Sequence, residues 1–434
     1  MFKQFGLKDF KCHEGDKNFD LPGLTVVSGT NNSGKSSLLQ AIYLLTQNRS
    51  NRYPVLSLNE EVKLGGFSDI LNKKASNVEP IEFSVELDES VLSTGEMKYL
   101  HMSFAYKKPS TFEALSIYDI QDYPILNSIE ISYETQSEDF KTLTFELMDK
   151  PNDYIYKVTG DTDSGFCYMA GIIPEQIIYI DEALNDRQMC SKEYEEIRYY
   201  LSLISKENIH YLKAFRLNDF IDKNNSVNRD LGLSGEYTAE LIHNKWDRKV
   251  DFKYEGKDIS FGQLFDEWIK KLLGEDYKVS SESLDRGKFK VVVEEQSSGL
   301  ELTLDQVGFG ISQLLPIITL ILTSKSNDII LIENPEVHLH PRLQSMFTDL
   351  CIYALQNNRK LIVETHSEHI INRLRMCIKQ NHDLLKSINV LFFEKKKGTV
   401  RYTDIQITKH GKLAYWPEGF FDQSYHDLLG LIDE

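Results

Sequence analysis

The segment Gly29-Thr-Asn-Asn-Ser-Gly34-Lys35-Ser36 has the GxxxxGK[ST] spacing of a loop that cradles a triphosphate. The backbone of Gly29, Asn31, Asn32, Ser33 and Gly34 would wrap phosphate oxygens with N–H groups. A following helix would aim the positive end of its dipole at the same oxygens. Lys35 would reach the β and γ phosphates, the Ser36 hydroxyl would ligate Mg²⁺, and Ser37 follows at the helix start. ATP and Mg²⁺ are the expected ligands.

Hydrolysis needs two further groups: a carboxylate at the end of a buried strand for the magnesium shell, and a group that polarises the attacking water. Asp328-Ile-Ile-Leu-Ile-Glu333-Asn334-Pro335-Glu336 offers candidates for both. Glu333, where the apolar run ends, belongs on the magnesium side. Asn334 stands where a water-activating glutamate is expected, and an amide cannot accept the proton. The base is therefore left open between Glu336, Glu333 in a double role, and a weak ATPase with no proper base. Glu336 also reads as a charge at a helix N-terminus. His338 and His340 lack a third ligand at metal spacing and read as loop-shaping residues. Past the strand Lys360-Leu-Ile-Val-Glu364, His366 is placed to touch a γ-phosphate and report its presence.

These residues need a scaffold. LTVVS runs into the glycine loop and SSLLQAIYLL follows it, a strand-loop-helix opening. Alternation of IILIE and KLIVE with helical text predicts a parallel sheet covered on both faces. Between the two halves lie IEFSVEL, YLHMSFAY, SIEISY and TLTFEL, separated by polar turns, and then the helical stretches SKEYEEIRYYLSLISK and GQLFDEWIKKLLG. The expected organisation is residues 1–75 as the first half of the core, 76–185 as a β-rich lobe, 186–285 as a mostly helical insertion, and 286–434 as the second half. The polar run at 218–232 predicts a mobile loop.

Composition narrows the surroundings. A formal net charge of -17 over 434 residues argues against a surface that is basic throughout, leaving room only for a local basic groove. Cys12, Cys167, Cys190, Cys351 and Cys377 form no CxxC pair and read as reduced thiols. The charged N-terminus is unlike a signal peptide and no run is long enough to span a bilayer, so a cytoplasmic protein without a membrane partner is expected.

The set GTNNSGKSS, VGFGISQLLPI, LIENPEVHLHP and ETHSEHIINRLR resembles the SMC-like, ABC-type branch of AAA-family ATP-binding proteins. It is close to ATPase relatives of OLD-family proteins and of anti-phage systems such as Septu and PARIS. The likeness lies mainly at residues 1–70 and 300–424, with weaker matches at His210-Tyr-Leu-Lys-Ala-Phe-Arg216, Gly235-Glu236 and Trp416-Pro-Glu-Gly-Phe-Phe421. It implies an α/β fold, an ABC-type P-loop NTPase core with a β-rich lobe and a helical insertion. A homodimer or higher homo-oligomer would close on ATP.

By position, Val307-Gly308-Phe309-Gly310-Ile311-Ser312-Gln313 resembles the signature segment, which would set Gly308, Gly310, Ser312 and Gln313 against the γ-phosphate of the opposite copy. The glycines allow close backbone approach, and Ser312 would open a helix facing the phosphate. His366 resembles the switch histidine. Gln344 and Arg373 fall in family-like stretches without an assigned role, and Gln40 and Gln47 read as residues of the first helix and its end. OLD-type relatives continue into an acidic, metal-dependent nuclease module, for which no room is expected before Glu434. A separate effector such as a nuclease is therefore expected. Two functions follow: a regulatory ATPase of anti-phage defence, or an SMC-like ATPase that clamps DNA in repair or maintenance. The clamp needs a basic groove, and the chain lacks long heptad arms. A transporter ATPase fits poorly, because the stretch at 76–300 is large and β-rich.

Overall fold

Strands buried on both faces and strands buried on one face sort into different sheets. The computed structural model describes residues 2–46, 53–76, 79–93, 95–108, 123–148, 154–160, 164–181, 184–188, 192–204, 208–216, 230–284, 288–304, 306–417 and 420–421. The chain begins with β1 (Phe2–Lys8), β2 (Asp16–Asp20), β3 (Leu24–Gly29) and α1 (Lys35–Thr46). Then come α2 (Phe67–Ile70), β4 (Ile81–Leu87), α3 (Glu89–Leu92), β5 (Met97–Lys107), β6 (Ile125–Thr135), β7 (Phe140–Leu147) and β8 (Ile155–Thr159). β9 (Ser164–Ala170), β10 (Ile173–Asp181), β11 (Leu184–Gln188), α4 (Lys192–Ile204), β12 (Ile209–Leu212) and α5 (Thr238–Lys245) follow. Next are β13 (Lys249–Tyr254), β14 (Lys257–Ser260), α6 (Phe261–Leu273), β15 (Tyr277–Leu284), β16 (Lys288–Glu295) and β17 (Leu300–Thr303). The last are α7 (Phe309–Thr323), β18 (Ile329–Glu333), α8 (Pro341–Gln356), β19 (Lys360–Glu364), α9 (Glu368–Gln380), β20 (Ile388–Lys396) and β21 (Thr399–Asp404).

Two compact units result. The first comprises Met1–Leu21, Asn32–Ile209 and Lys395–Arg401. It holds a ten-stranded sheet in the order β11-β10-β9-β8-β7-β6-β5-β4-β1-β2, antiparallel between neighbours. IEFSVEL alternates strictly between buried and half-buried residues, as a strand with one covered face must. β1 and β2 are thus strands of the same sheet as the β-rich segments that follow them. The polar run at 218–232 falls, up to residue 229, outside the described residues, as do Gln47 and Cys190.

The second unit comprises Pro22–Asn31, His210–Glu394 and Tyr402–Glu434. Its main sheet has the order β12-β18-β19-β3-β20-β21. β18, β19, β3 and β20 run parallel, with Glu333 beside Glu364, Glu364 beside Val27, and Val27 beside Leu391. The first four residues of IILIE are all buried, which is what a central parallel strand requires. Leu314 and Ile318 of α7, Leu350 of α8 and Leu374 of α9 join Val26, Ile330 and Val363 in one apolar core. The stretch expected to be mostly helical supplies α5 and α6 to that core and also forms β13, β14 and β15.

An ion cluster fixes the start of β12. His210 Nδ1 lies 2.9 Å from Asp230 and Nε2 lies 3.0 Å from Asp328, the residue before β18. Burial alone would lower this imidazole, but the two carboxylates outweigh it and raise it from 6.5 to about 10. A raised folded value makes the contribution complete below pH 6.5 and lost as pH rises through about 10. Because Asp230 is 57% exposed, solvent screens its share, and a stabilisation of about 2 kcal/mol is the reasonable scale. His210→Ala should be less stable than wild type in urea titrations at pH 6.5, with the gap shrinking toward pH 10.5; a gap independent of pH would refute the pairing.

Candidate functional site

β3 delivers the glycine loop to one end of the parallel sheet. Its last residue, Gly29, has φ 142, and a Cβ there would fall 1.9 Å from the Phe393 carbonyl oxygen. Thr30 N donates to that same oxygen at 3.0 Å. Asn32 and Gly34 take φ of 58 and 93, left-handed values that asparagine and glycine accommodate best. Asn31 and Asn32 are exposed, whereas Ser33 and Lys35 are buried; Ser36 and Ser37 are half-buried. Helix α1 starts at Lys35 with no acidic residue in its first turn, so its N-terminal N–H groups keep their positive field for an anion.

Beneath Gly34 lies the connection between β1 and β2. The Gly34 carbonyl accepts from Leu38 N at 3.2 Å, and His13 Nε2 stands 3.0 Å from it. A carbonyl only accepts, so His13 carries its proton on Nε2. Burial pushes this imidazole down to about 4, which keeps it neutral. Cys12 Sγ is 3.8 Å from Ser37 Oγ, and Lys11 Nζ donates to Gln40 Oε1 at 2.6 Å. Neither Cys12 nor His13 carries a local sequence signal: the two act through a fold-dependent approach, from 25 and 21 residues upstream of their partners.

In the second unit the sheet brings Glu333, Asn334, Glu336, Thr365 and His366 together. Glu333 ends β18; its carboxylate accepts from the Tyr211 hydroxyl and from Ala214 N, the latter at 3.2 Å. Asn334 has φ 41 and donates its N–H to Glu364 O at 2.8 Å. Its buried Oδ1 has no hydrogen-bond partner among the described residues. Glu336 accepts from Thr365 Oγ1 at 2.8 Å and from His366 N at 2.6 Å. Burial raises the Glu336 carboxyl, and those two donors oppose the rise. Helix α8 starts only at Pro341, behind the N-cap His340, so Glu336 is an anchor for the β19–α9 turn rather than a helix N-terminal charge. Thr365 N donates to Val27 O at 2.9 Å, Ser367 caps α9, and between them the His366 side chain is exposed.

The glycine-serine segment approaches the same loop. Gly308 caps α7 and Phe309 begins it, so Ser312 lies inside the first turn, 1% exposed, instead of opening the helix. A Cβ on Gly310 would meet the His338 carbonyl at 3.0 Å, while one on Gly308 would meet nothing within 4 Å. Gln313 Nε2 donates to the Arg216 carbonyl at 3.3 Å, and Arg216 Nη2 donates to the Glu333 carbonyl at 2.6 Å. Tyr211, Ala214 and Arg216 are the contacts that sequence patterning misses; the family-like HYLKAFR stretch is their only trace. Gln344 accepts from Ser367 Oγ at 2.6 Å, and Arg373 pairs with Asp349 at 2.7 Å, tying α9 to α8.

His340 Nδ1 accepts from Arg342 N at 3.3 Å, and His338 has φ 62, so both histidines shape the turn before α8. Among the described residues no group of three or more His, Cys, Asp or Glu could hold a metal by itself. None of the described helices is long and apolar enough to cross a membrane. The donors at the end of β18 suit a hard cation: the Glu333 carboxylate, which accepts an O–H and an N–H, and beside it the buried Asn334 amide oxygen, which has no hydrogen-bond partner among the described residues.

Known proteins bear on this geometry. The sequence profile described as AAA ATPase domain matches residues 1–371, and a second, described as a protein of unknown function (DUF3696), matches residues 386–431. No curated protein matches the chain. Among solved structures, an Smc head bound to the C-winged helix domain of ScpA is similar over 94% of this chain and 98% of its own, with TM-score 0.50 and 10% identity. A Pyrococcus furiosus Smc head domain with an extended coiled coil, bound to the C-terminal domain of ScpA, covers 100% and 99%, with TM-score 0.45 and 9% identity. An SMC head domain from Thermotoga maritima covers 94% and 99%, with TM-score 0.40 and 11% identity. The first likeness establishes a shared fold; identities this low say nothing of partners.

Proposed function

The chain belongs to the AAA ATPase domain family, and from that premise we propose an ABC-type ATPase in which two copies close on ATP and Mg²⁺. Closure would hold or release a separate effector, such as a nuclease, in cytoplasmic anti-phage defence. The observation that carries the ATPase part is the common rim of β18, β19 and β3, where Glu333, the Thr365–His366 turn and the start of the glycine loop sit in register. The Smc head likeness supports the head-type fold. The defence role rests on the motif resemblance.

Roles follow residue by residue. Backbone N–H groups from Gly29 to Gly34, with Asn31, Asn32 and Ser33, bind phosphate; Lys35 neutralises it, and Ser37 lines the start of α1. His13 holds the Gly34 carbonyl and so keeps the neighbouring N–H groups turned outward. Ser36 and Glu333 would hold Mg²⁺, which neutralises charge on the phosphates when bound. The Asn334 amide oxygen orients the attacking water, whose proton passes to Glu333. Glu336 positions His366, which contacts the γ-phosphate. Gly308 and Gly310 form the face offered to the second copy's nucleotide, with the buried Ser312 and Gln313 supporting it from behind.

Complex mass measured with and without ATP tests this reading, together with turnover of two variants. Glu333→Gln should still bind ATP, persist as a closed dimer and hydrolyse about a hundredfold more slowly. Glu336→Gln should lose about tenfold in turnover, because an amide offers one acceptor where the carboxylate serves two donors. A chain that stays single with ATP, or full hydrolysis in both variants, would sink the proposal. ATP-linked, salt-sensitive binding of duplex DNA by the wild type would favour the clamping alternative.

A further inference from the structure

The segment from Tyr211 to Arg216 enters none of the roles above, yet it touches the glycine-serine segment and the acidic strand at once. Arg216 is 2% exposed. Its carbonyl accepts from Gln313 Nε2 at 3.3 Å, and its Nη2 donates to the Glu333 carbonyl at 2.6 Å. Ala214 N and the Tyr211 hydroxyl grip the Glu333 carboxylate from the same stretch. A displacement of Gln313 therefore reaches both ends of Glu333 through a backbone of a few residues.

The guanidinium is also under-satisfied. Nε and Nη1 are buried and have no hydrogen-bond partner among the described residues. Idle donors on a buried cation are costly, since nearly all such groups in folded proteins find an acceptor. The Glu336 and Glu333 carboxylates both act on Arg216 electrostatically. A small shift of the side chain toward either would satisfy what this arrangement leaves open. One grip is made and a second stands ready, which is the requirement for an element with two positions.

We propose that Arg216 is a positioning residue that couples the Gly308–Gln313 face to the Glu333–Glu336 loop, so that docking of a second copy on the former sets the latter for hydrolysis. The inference rests on the ATP-closed dimer proposed above. It predicts a separation of parameters: the glycine loop binds nucleotide without Arg216, whereas turnover in the closed dimer depends on it.

The test uses the full chain with Mg²⁺ and ATP, measuring equilibrium nucleotide binding, mass with and without ATP, and turnover at saturation. Arg216→Met should keep the ATP Kd within about threefold and lose about thirtyfold in turnover, the scale of one charge-assisted hydrogen bond. Arg216→Lys, which restores the charge and one donor, should recover about a third of the lost activity on a logarithmic scale. Gln313→Ala cuts the same path from the other side and should reproduce the turnover loss; combined with Arg216→Met it should add little. It also serves if Arg216→Met fails to fold. Unchanged turnover, multiplying effects in the double variant, or Kd rising in step with the loss of turnover would overturn the coupling alone. Wild-type protein that binds no ATP, or stays single with it, would overturn the function proposed above and the coupling with it.

Discussion

Lys35→Ala should abolish measurable ATP binding while leaving the fold intact. The side chain is 4% exposed at the first position of α1, where the helix field is positive. The helix field at this position favours an anion, and the ammonium adds its own charge to that attraction, so its removal weighs heavily on the loaded protein. Losing charge-assisted bonds to phosphate oxygens amounts to about 3 kcal/mol or more, roughly a hundredfold in Kd. ATP-driven association should vanish with it. Titration with a fluorescent ATP analogue decides the matter. Binding within about threefold of wild type would remove Lys35 from the phosphates, since no genuine triphosphate contact is that weak.

Gly29→Ala should fail earlier, at folding. The new Cβ would meet the Phe393 carbonyl oxygen at 1.9 Å and its carbonyl carbon and nitrogen at 2.7 Å, all backbone atoms of the neighbouring strand β20. Main chain paired in a parallel sheet cannot rotate away as a side chain can, and φ 142 is itself strained for alanine. A loss above about 4 kcal/mol is expected, enough to leave little folded protein in a chemical denaturation series. Gly308→Ala offers the contrast. That residue has φ -58 and open space around the would-be Cβ, so single-copy stability should hold while ATP-driven association weakens. Normal stability in Gly29→Ala would mean that β3 and β20 are not paired as described.

The parts of the site that sequence reveals are those whose chemistry is local. A glycine loop needs its strand before it and its helix after it, and all three are contiguous in LTVVSGTNNSGKSSLLQ. IILIE announces a central strand because every residue before the glutamate must be apolar, and KLIVE repeats the signal. Ser312 shows where such reasoning slips: serine is a strong helix cap, yet Gly308 caps α7 four residues earlier and the serine is carried inside. β1 and β2 fall in the stretch expected to build the first half of the core, but sequence does not name a strand's partner, and their place in the ten-stranded sheet came only with the fold. His13, Tyr211 and Arg216 are further from legibility. Each meets its partner across a long sequence separation, through the approach of one loop to another, and no period or spacing encodes that.

Asn334 shapes the tempo of such a machine. Its backbone occupies the left-handed region, which asparagine tolerates better than glutamate does, so the turn after β18 and the choice of residue are linked. Restoring a carboxylate by Asn334→Glu would therefore strain the turn as it supplied an acceptor. For a protein acting as proposed, this favours a clock over a motor: the dwell of the doubly occupied state is the output, and any bound effector experiences its length.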